Sequence, residues 1–156
     1  LFFVNYVLGG GGFDSRLMRE VSDKRGYAYS AYSYFIPMMD AGPFQLGLQT
    51  KLEQTDDALK VAQATLRQFI AEGPSEVELV QAKSNLTGGF PLRIDSNKKI
   101  LDYLSVIGFY KLPLDYLDTW VDKVNAVDVA AVKQAFARRI DPDRLVTVVV
   151  GAGGAR

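Results

Sequence analysis

The sequence predicts an α+β fold in which helices lie on one side of a largely antiparallel sheet. Three observations carry that expectation. Two stretches, Tyr27 to Ile36 and Phe44 to Gln49, have strand character and flank a short turn. Apolar residues recur at helical spacing in several stripes between Leu59 and Ile140. A β-branched run, Leu145 to Val150, follows the last stripe. Strands and helices that come in separate runs point to segregated layers rather than to alternating βαβ units.

Each element has its local reason. The opening apolar run, Leu1 to Leu8, reads as the tail of a buried helix, which Gly9 to Gly12 stop. Eight residues are far short of the ~20 that a membrane span needs, and the run has no basic flank of a signal peptide. The natural protein is therefore expected to be longer, with any targeting signal outside these residues. A second helix starts at Asp14 or Ser15 and runs to Gly26, with Leu17, Met18 and Val21 inward. In the first strand Tyr27, Tyr29 and Phe35 share one face and Tyr32, Tyr34 and Ile36 the other. Asp40-Ala41-Gly42 turns the chain, and Phe44, Leu46 and Leu48 then alternate with Gln45, Gly47 and Gln49.

The helices follow in order. One begins near Thr55, with Asp56 and Asp57 suited to its dipole and Leu59, Ala62, Leu66, Phe69 and Ile70 on one stripe. Gly73-Pro74 ends it, and Ser75-x-x-Glu78 is a capping box for the next. Gly88-Gly89-Phe90-Pro91 breaks that helix. Two more stripes follow, Ile100, Tyr103, Leu104 and Ile107, then Leu117, Trp120, Val121 and Val124. Asp128 caps the last helix, whose Val129, Val132, Phe136 and Ile140 face inward. After the Asp141-Pro142-Asp143 turn, Leu145 to Val150 reads as a strand buried on both faces, and Gly151 onwards as tail.

Composition narrows the chemistry. The 156 residues suit one domain, and their 48% hydrophobic content can fill a core. Lys+Arg and Asp+Glu balance at 18 each, which argues against a dedicated nucleic-acid surface. The chain has no cysteine and no histidine. Ser-His-Asp and Cys-His catalysis and histidine-dependent zinc sites are thereby excluded. Nothing like an EF-hand loop is present, and Asp95, Asn97 and Asp102 read as a helix cap and a solvated face rather than as metal ligands. No carboxylate pair with a clear cleft context marks an independent enzyme.

Several segments taken together resemble the pitrilysin/insulinase family of zinc metallopeptidases, the inverzincins. They are Leu8-Gly9-Gly10-Gly11-Gly12-Phe13-Asp14-Ser15-Arg16-Leu17, Asp23-Lys24-Arg25-Gly26-Tyr27-Ala28-Tyr29-Ser30, Gly42-Pro43-Phe44, Asn85-Leu86-Thr87-Gly88-Gly89-Phe90-Pro91-Leu92, and Asp141-Pro142-Asp143-Arg144-Leu145 through Gly151. The resemblance runs in order along essentially the whole chain. It implies a half-repeat of a clasp made from two related α+β domains, of which the first carries His-x-x-Glu-His and the zinc. Residues 1–156 then correspond to one non-catalytic domain, either the second half of such a peptidase or part of its inactive partner subunit.

The resemblance also implies partners and sites. The chain itself needs no cofactor, and zinc belongs to the catalytic domain it accompanies. The substrate is an extended peptide held between the two. The family's second domain offers an arginine and a tyrosine seven residues apart; alignment on Lys24-Arg25-Gly26 puts the tyrosine at Tyr29 and places Ser22 where the arginine stands. That departure favours an alternative, a structural or assembly subunit that kept the fold without peptide handling. The glycine run resembles the longer glycine-rich loop of the processing peptidases' non-catalytic subunit, which makes Gly10, Gly11 and Gly12 candidates for peptide contact. Arg25 joins Tyr29 as a candidate substrate-binding residue. Each has a plainer reading beside it: Tyr29 as a sheet residue, Arg25 as a cation at a helix end, the glycines as a helix stop. Bacterial relatives of this kind are often periplasmic, and an exposed inner face suggests that the isolated domain forms a homodimer.

Overall fold

The computed structural model describes residues 2–151, so Leu1 and the expected tail after Gly151 lie outside the described residues. Helix α1, Phe2–Asn5, continues as a π-helical turn, Tyr6–Gly10. A 3-10 turn, Gly12–Asp14, then leads to a short helix completed by the π-helical segment Met18–Asp23. The choice between Asp14 and Ser15 falls to Ser15, whose buried hydroxyl accepts the Met18 N–H at 3.4 Å. The helix ends at Asp23, before Gly26, which takes a positive φ of 64°.

Strands β1, Ala28–Phe35, and β2, Phe44–Thr50, pair antiparallel. Five helices follow: α2, Thr55–Glu72; α3, Glu76–Gly88; α4, Asn97–Phe109; α5, Trp120–Asn125; and α6, Val129–Arg139. The inner face of β1, with Ala31 and Ser33 buried, meets the helices, whereas Tyr32 and Tyr34 face outward. The expected α+β class, an antiparallel sheet with helices against one face, is therefore what the chain forms.

The core gathers around Phe136 of α6, which is fully buried. Its ring meets Phe69 of α2 edge-on at 4.9 Å, Phe35 of β1 at 5.8 Å and Phe44 of β2 at 6.3 Å. One side chain thus joins the hairpin to two helices. Ala58, Ala62, Leu66 and Phe69 form the buried stripe of α2. Helix α3 opens with the capping box read from the sequence: Ser75 Oγ accepts the Glu78 N–H at 3.2 Å, and Glu78 Oε2 accepts the Ser75 N–H at 2.8 Å. Asp128 caps α6 by accepting the Ala131 N–H at 2.7 Å.

Four expectations need correction. Leu145 to Val150 forms no strand among the described residues and is exposed, Val146 and Val150 to about nine-tenths. β-propensity alone does not make a strand: the backbone needs a neighbour, and among the described residues β1 and β2 pair only with each other. The α4 stripe is not core either. Ile107 is buried, but Ile100 and Leu104 are exposed, because among the described residues nothing covers that side of the helix. Helix α5 starts at Trp120, since the chain from Pro113 to Thr119 is taken up by turns such as Tyr116 N–H to Pro113 O at 3.0 Å. Leu117 therefore lies before the helix. The fourth correction concerns Tyr29.

Candidate functional site

Tyr29 does not share a face with Phe35. The pairing register passes from Ala28↔Thr50 to Ser30↔Gln49, so the residue between them is an extra one, a β-bulge. Simple alternation would turn Tyr29 inward with Ala31, Ser33 and Phe35. The extra residue instead leaves it 89% exposed. Its phenol is free to donate and accept hydrogen bonds, which a core tyrosine could do only with a buried partner.

Farther along β1, Tyr32 and Tyr34 are exposed as well. Their rings stack with centroids 5.9 Å apart and planes inclined by 17°. Gly47 sits across from Tyr32 in the ladder, and a Cβ there would lie 2.7 Å from the Tyr32 ring tip. The missing side chain lets the ring lie flat over β2. Tyr34 Oη donates to the Gln45 side-chain oxygen. Sequence alternation identified Tyr32 and Tyr34 as a pair, but it could not say that they face solvent with Tyr29.

Arg25 is committed locally. Its Nη1 donates to the Glu20 carbonyl at 2.6 Å and meets Glu20 Oε2 at 3.0 Å. Lys24 Nζ reaches the other Glu20 oxygen at 2.6 Å. The Lys24 hydrogen bond, with Arg25 adding to it against a burial penalty, holds the Glu20 carboxyl below its ordinary range. The geometry is that of cations closing a helix end. Ser22 lies on the same segment, and its carbonyl accepts the Gly26 N–H at 2.6 Å.

The glycines stand at the other end of that helix. Gly10 ends the π-helical turn, Gly11 packs near Tyr6, and Gly12 takes a φ of 63° in open space. Gly9 has the sharper requirement: a Cβ there would lie 2.4 Å from both Ser33 N and Ser33 Oγ, so the helix and β1 touch backbone to backbone. Asn5 locks the same spot, with Nδ2 donating to Ser33 O at 2.6 Å and Oδ1 accepting from Ser33 Oγ at 2.6 Å. The helix between Gly12 and Arg25 separates them by on the order of 10–15 Å along its axis. Arg25 thus stands at the C-terminal end of that helix, and the three candidate glycines precede its start.

A second polar knot, unseen in the sequence, holds the segment in place. Glu78 accepts from Arg16 Nε at 3.1 Å and pairs with Arg19 as well. Arg16 also donates to Gly73 O at 3.2 Å and stacks over the Phe69 ring at 5.0 Å. Burial pushes the Glu78 carboxyl up, but hydrogen bonds from Arg16, the Ser75 backbone and Arg19 outweigh it and bring it down to about 2. Ser75 and Glu78 were legible as a capping box; the arginines, some sixty positions away, were not.

The donor set does not suit zinc. No histidine or cysteine exists in the chain, and no group of three or more carboxylates gathers among the described residues. Asp95 and Asp102 instead pair with Lys99 at 2.7 Å and Lys98 at 2.9 Å, and Ser96, not Asn97, caps α4. No helix among the described residues is long and apolar enough to cross a membrane.

Residues 1–86 match the model of the peptidase M16 inactive domain. A crystal structure of a peptidase M16 inactive domain from Pseudomonas fluorescens superposes with a TM-score of 0.85 at 39% identity, covering 92% of this chain and 34% of that one. The non-peptidase homolog YmxG of Helicobacter pylori is 29% identical over 148 residues, 93% of this chain and 33% of the relative. The uncharacterized zinc protease YmxG of Bacillus subtilis is 27% identical over an alignment of 158 residues, 99% of this chain and 37% of the relative. The chain thus spans about a third of the length of these curated relatives.

Proposed function

The chain belongs to the peptidase M16 inactive domain family, and from that premise we propose that residues 1–156 form one zinc-free domain that closes a peptidase chamber and holds extended peptide. The catalytic work falls to a His-x-x-Glu-His domain elsewhere, on the same polypeptide or on a partner subunit. Tyr29 is the observation that carries the reading. A phenol lifted out of a strand by a bulge and almost fully exposed can donate to a peptide carbonyl and to the oxyanion that develops from it. Tyr32 and Tyr34 extend the same outward surface, along which an extended peptide would lie. Arg25 closes the helix end in this scheme and, like Gly10, Gly11 and Gly12, is a further candidate for peptide contact.

The test is purification of the tagged protein from its own cells with its partner, followed by peptidase assay. A co-purifying zinc subunit or domain, chelator-sensitive cleavage, and a fall in kcat/KM of at least tenfold in Tyr29→Phe would support the proposal. Cleavage unchanged in Tyr29→Phe would remove the tyrosine from it. Cell fractionation of the same strain tests the periplasmic location that accompanies this reading.

A second reading rests on Ser22, which stands where the resembling family has an arginine, and on the non-peptidase relative. It makes the chain a structural or assembly subunit. A stable partner without zinc, and an assembly that cleaves nothing, would favour it.

A further inference from the structure

We propose that Met38 and Met39, at the tip of the β1–β2 hairpin, form an oxidant-accessible modification site, while Met18 is protected. The chain has three methionines and no cysteine, so these thioethers are its entire sulfur chemistry. Met38 is 52% exposed and Met39 65% exposed, whereas Met18 is 6% exposed. Met18 Sδ also accepts the Ala31 N–H at 3.2 Å, which occupies a sulfur lone pair and seats it under β1.

The shape of the tip is set by its backbone. The Ile36 N–H donates to Pro43 O at 3.0 Å and closes the loop. Gly42 lies so close that a Cβ there would fall 1.7 Å from the Ile36 carbonyl oxygen. Tyr110 Oη donates to Pro37 O at 3.0 Å and pins the loop to the end of α4, beside the exposed Phe109. Both methionines are thus presented from a closed loop rather than from a packed core.

The oxidant is a peroxide. A sulfur lone pair attacks one peroxide oxygen; the S–O bond forms and the O–O bond breaks. Sulfur gives up two electrons and becomes a sulfoxide; with hydrogen peroxide the proton of the attacked oxygen passes to the departing hydroxide, which leaves as water. The change is reversible by methionine sulfoxide reductases, and it turns an apolar tip polar.

The experiment treats the folded full-length protein with hydrogen peroxide and follows Met18, Met38 and Met39 by peptide mass spectrometry. Met38 and Met39 should gain oxygen within about threefold of the rate of a free methionine peptide, and Met18 at least tenfold more slowly. In denaturant the three rates should converge. The double variant Met38→Leu, Met39→Leu should lose nearly all oxygen uptake within residues 1–156 of the folded protein while keeping the circular dichroism of the wild type. Oxidation of Met18 at the rate of the other two, or protection of Met38 and Met39 in the folded chain, would overturn the proposal. So would full oxygen uptake by the double variant.

Discussion

Arg16 and Glu78 form a partly buried ion pair between residues 62 positions apart, joining the segment after the glycine turn to the first turn of α3. The same carboxylate receives the Ser75 N–H, so one side chain caps a helix and docks another. A carboxylate held down at about 2 while its ordinary value is 4.5 is a store of stability with a defined pH window. Because folding lowers the value, the stabilisation is complete above pH about 4.5 and is lost as pH falls towards 2. Its size is on the order of 3 kcal/mol. Glu78→Gln should be less stable than the wild type by about 2–3 kcal/mol at pH 7 and should lack this acid-dependent loss. Urea denaturation at pH 7, 4 and 3 checks both points; parallel pH curves for the two proteins would contradict the assignment.

The contact of Gly9 with Ser33 sets a steric test. Gly9→Ala forces a Cβ to 2.4 Å from backbone and side chain at once, so the helix must move off β1. A loss of about 2–4 kcal/mol is expected. Gly12→Ala places its Cβ in open space and suffers only the unfavourable φ of 63°, at a cost of about 1 kcal/mol. Equal losses for the two, by equilibrium unfolding, would mean that the close approach is not what matters.

Asn5 and Ser33 exchange two hydrogen bonds in a buried position. Ser33→Ala leaves the Asn5 side-chain oxygen without its hydroxyl donor and should cost about 1–3 kcal/mol. The double variant Asn5→Leu, Ser33→Ala should recover part of that loss if the penalty comes from an unsatisfied polar atom. A double-mutant cycle measures the coupling.

Phe136 joins the hairpin to α2 through three aromatic contacts. Phe136→Ala should cost about 3–5 kcal/mol, and Phe136→Leu less, since it refills most of the volume. Thermal unfolding followed by near-ultraviolet circular dichroism would report the loss of the aromatic cluster.

The exposed side of α4 gives the opposite expectation. Leu101→Glu and Leu104→Glu lie on surface, so each should alter stability by no more than about 0.5 kcal/mol. Self-association of the isolated chain at high concentration should fall, because an apolar patch is removed. Sedimentation velocity of the double variant checks this, and a large drop in melting temperature would show that the face is packed after all.

Local chemistry was legible wherever the residues that decide it are neighbours in sequence. Ser75 and Glu78 announced their capping box, Asp128 its cap, and the two strands their hairpin, because each depends on atoms three or four residues apart or on a short turn. The absence of histidine likewise removes whole classes of chemistry whatever the fold. Tertiary structure decided what depends on distant partners. It placed Arg16 on Glu78, left Leu145 to Val150 and the α4 stripe uncovered among the described residues, and set the bulge that turns Tyr29 outward. Alternation assigns a face only while register is unbroken, and register belongs to the pair of strands; one extra residue in β1 against β2 therefore decided whether the candidate tyrosine faces core or solvent.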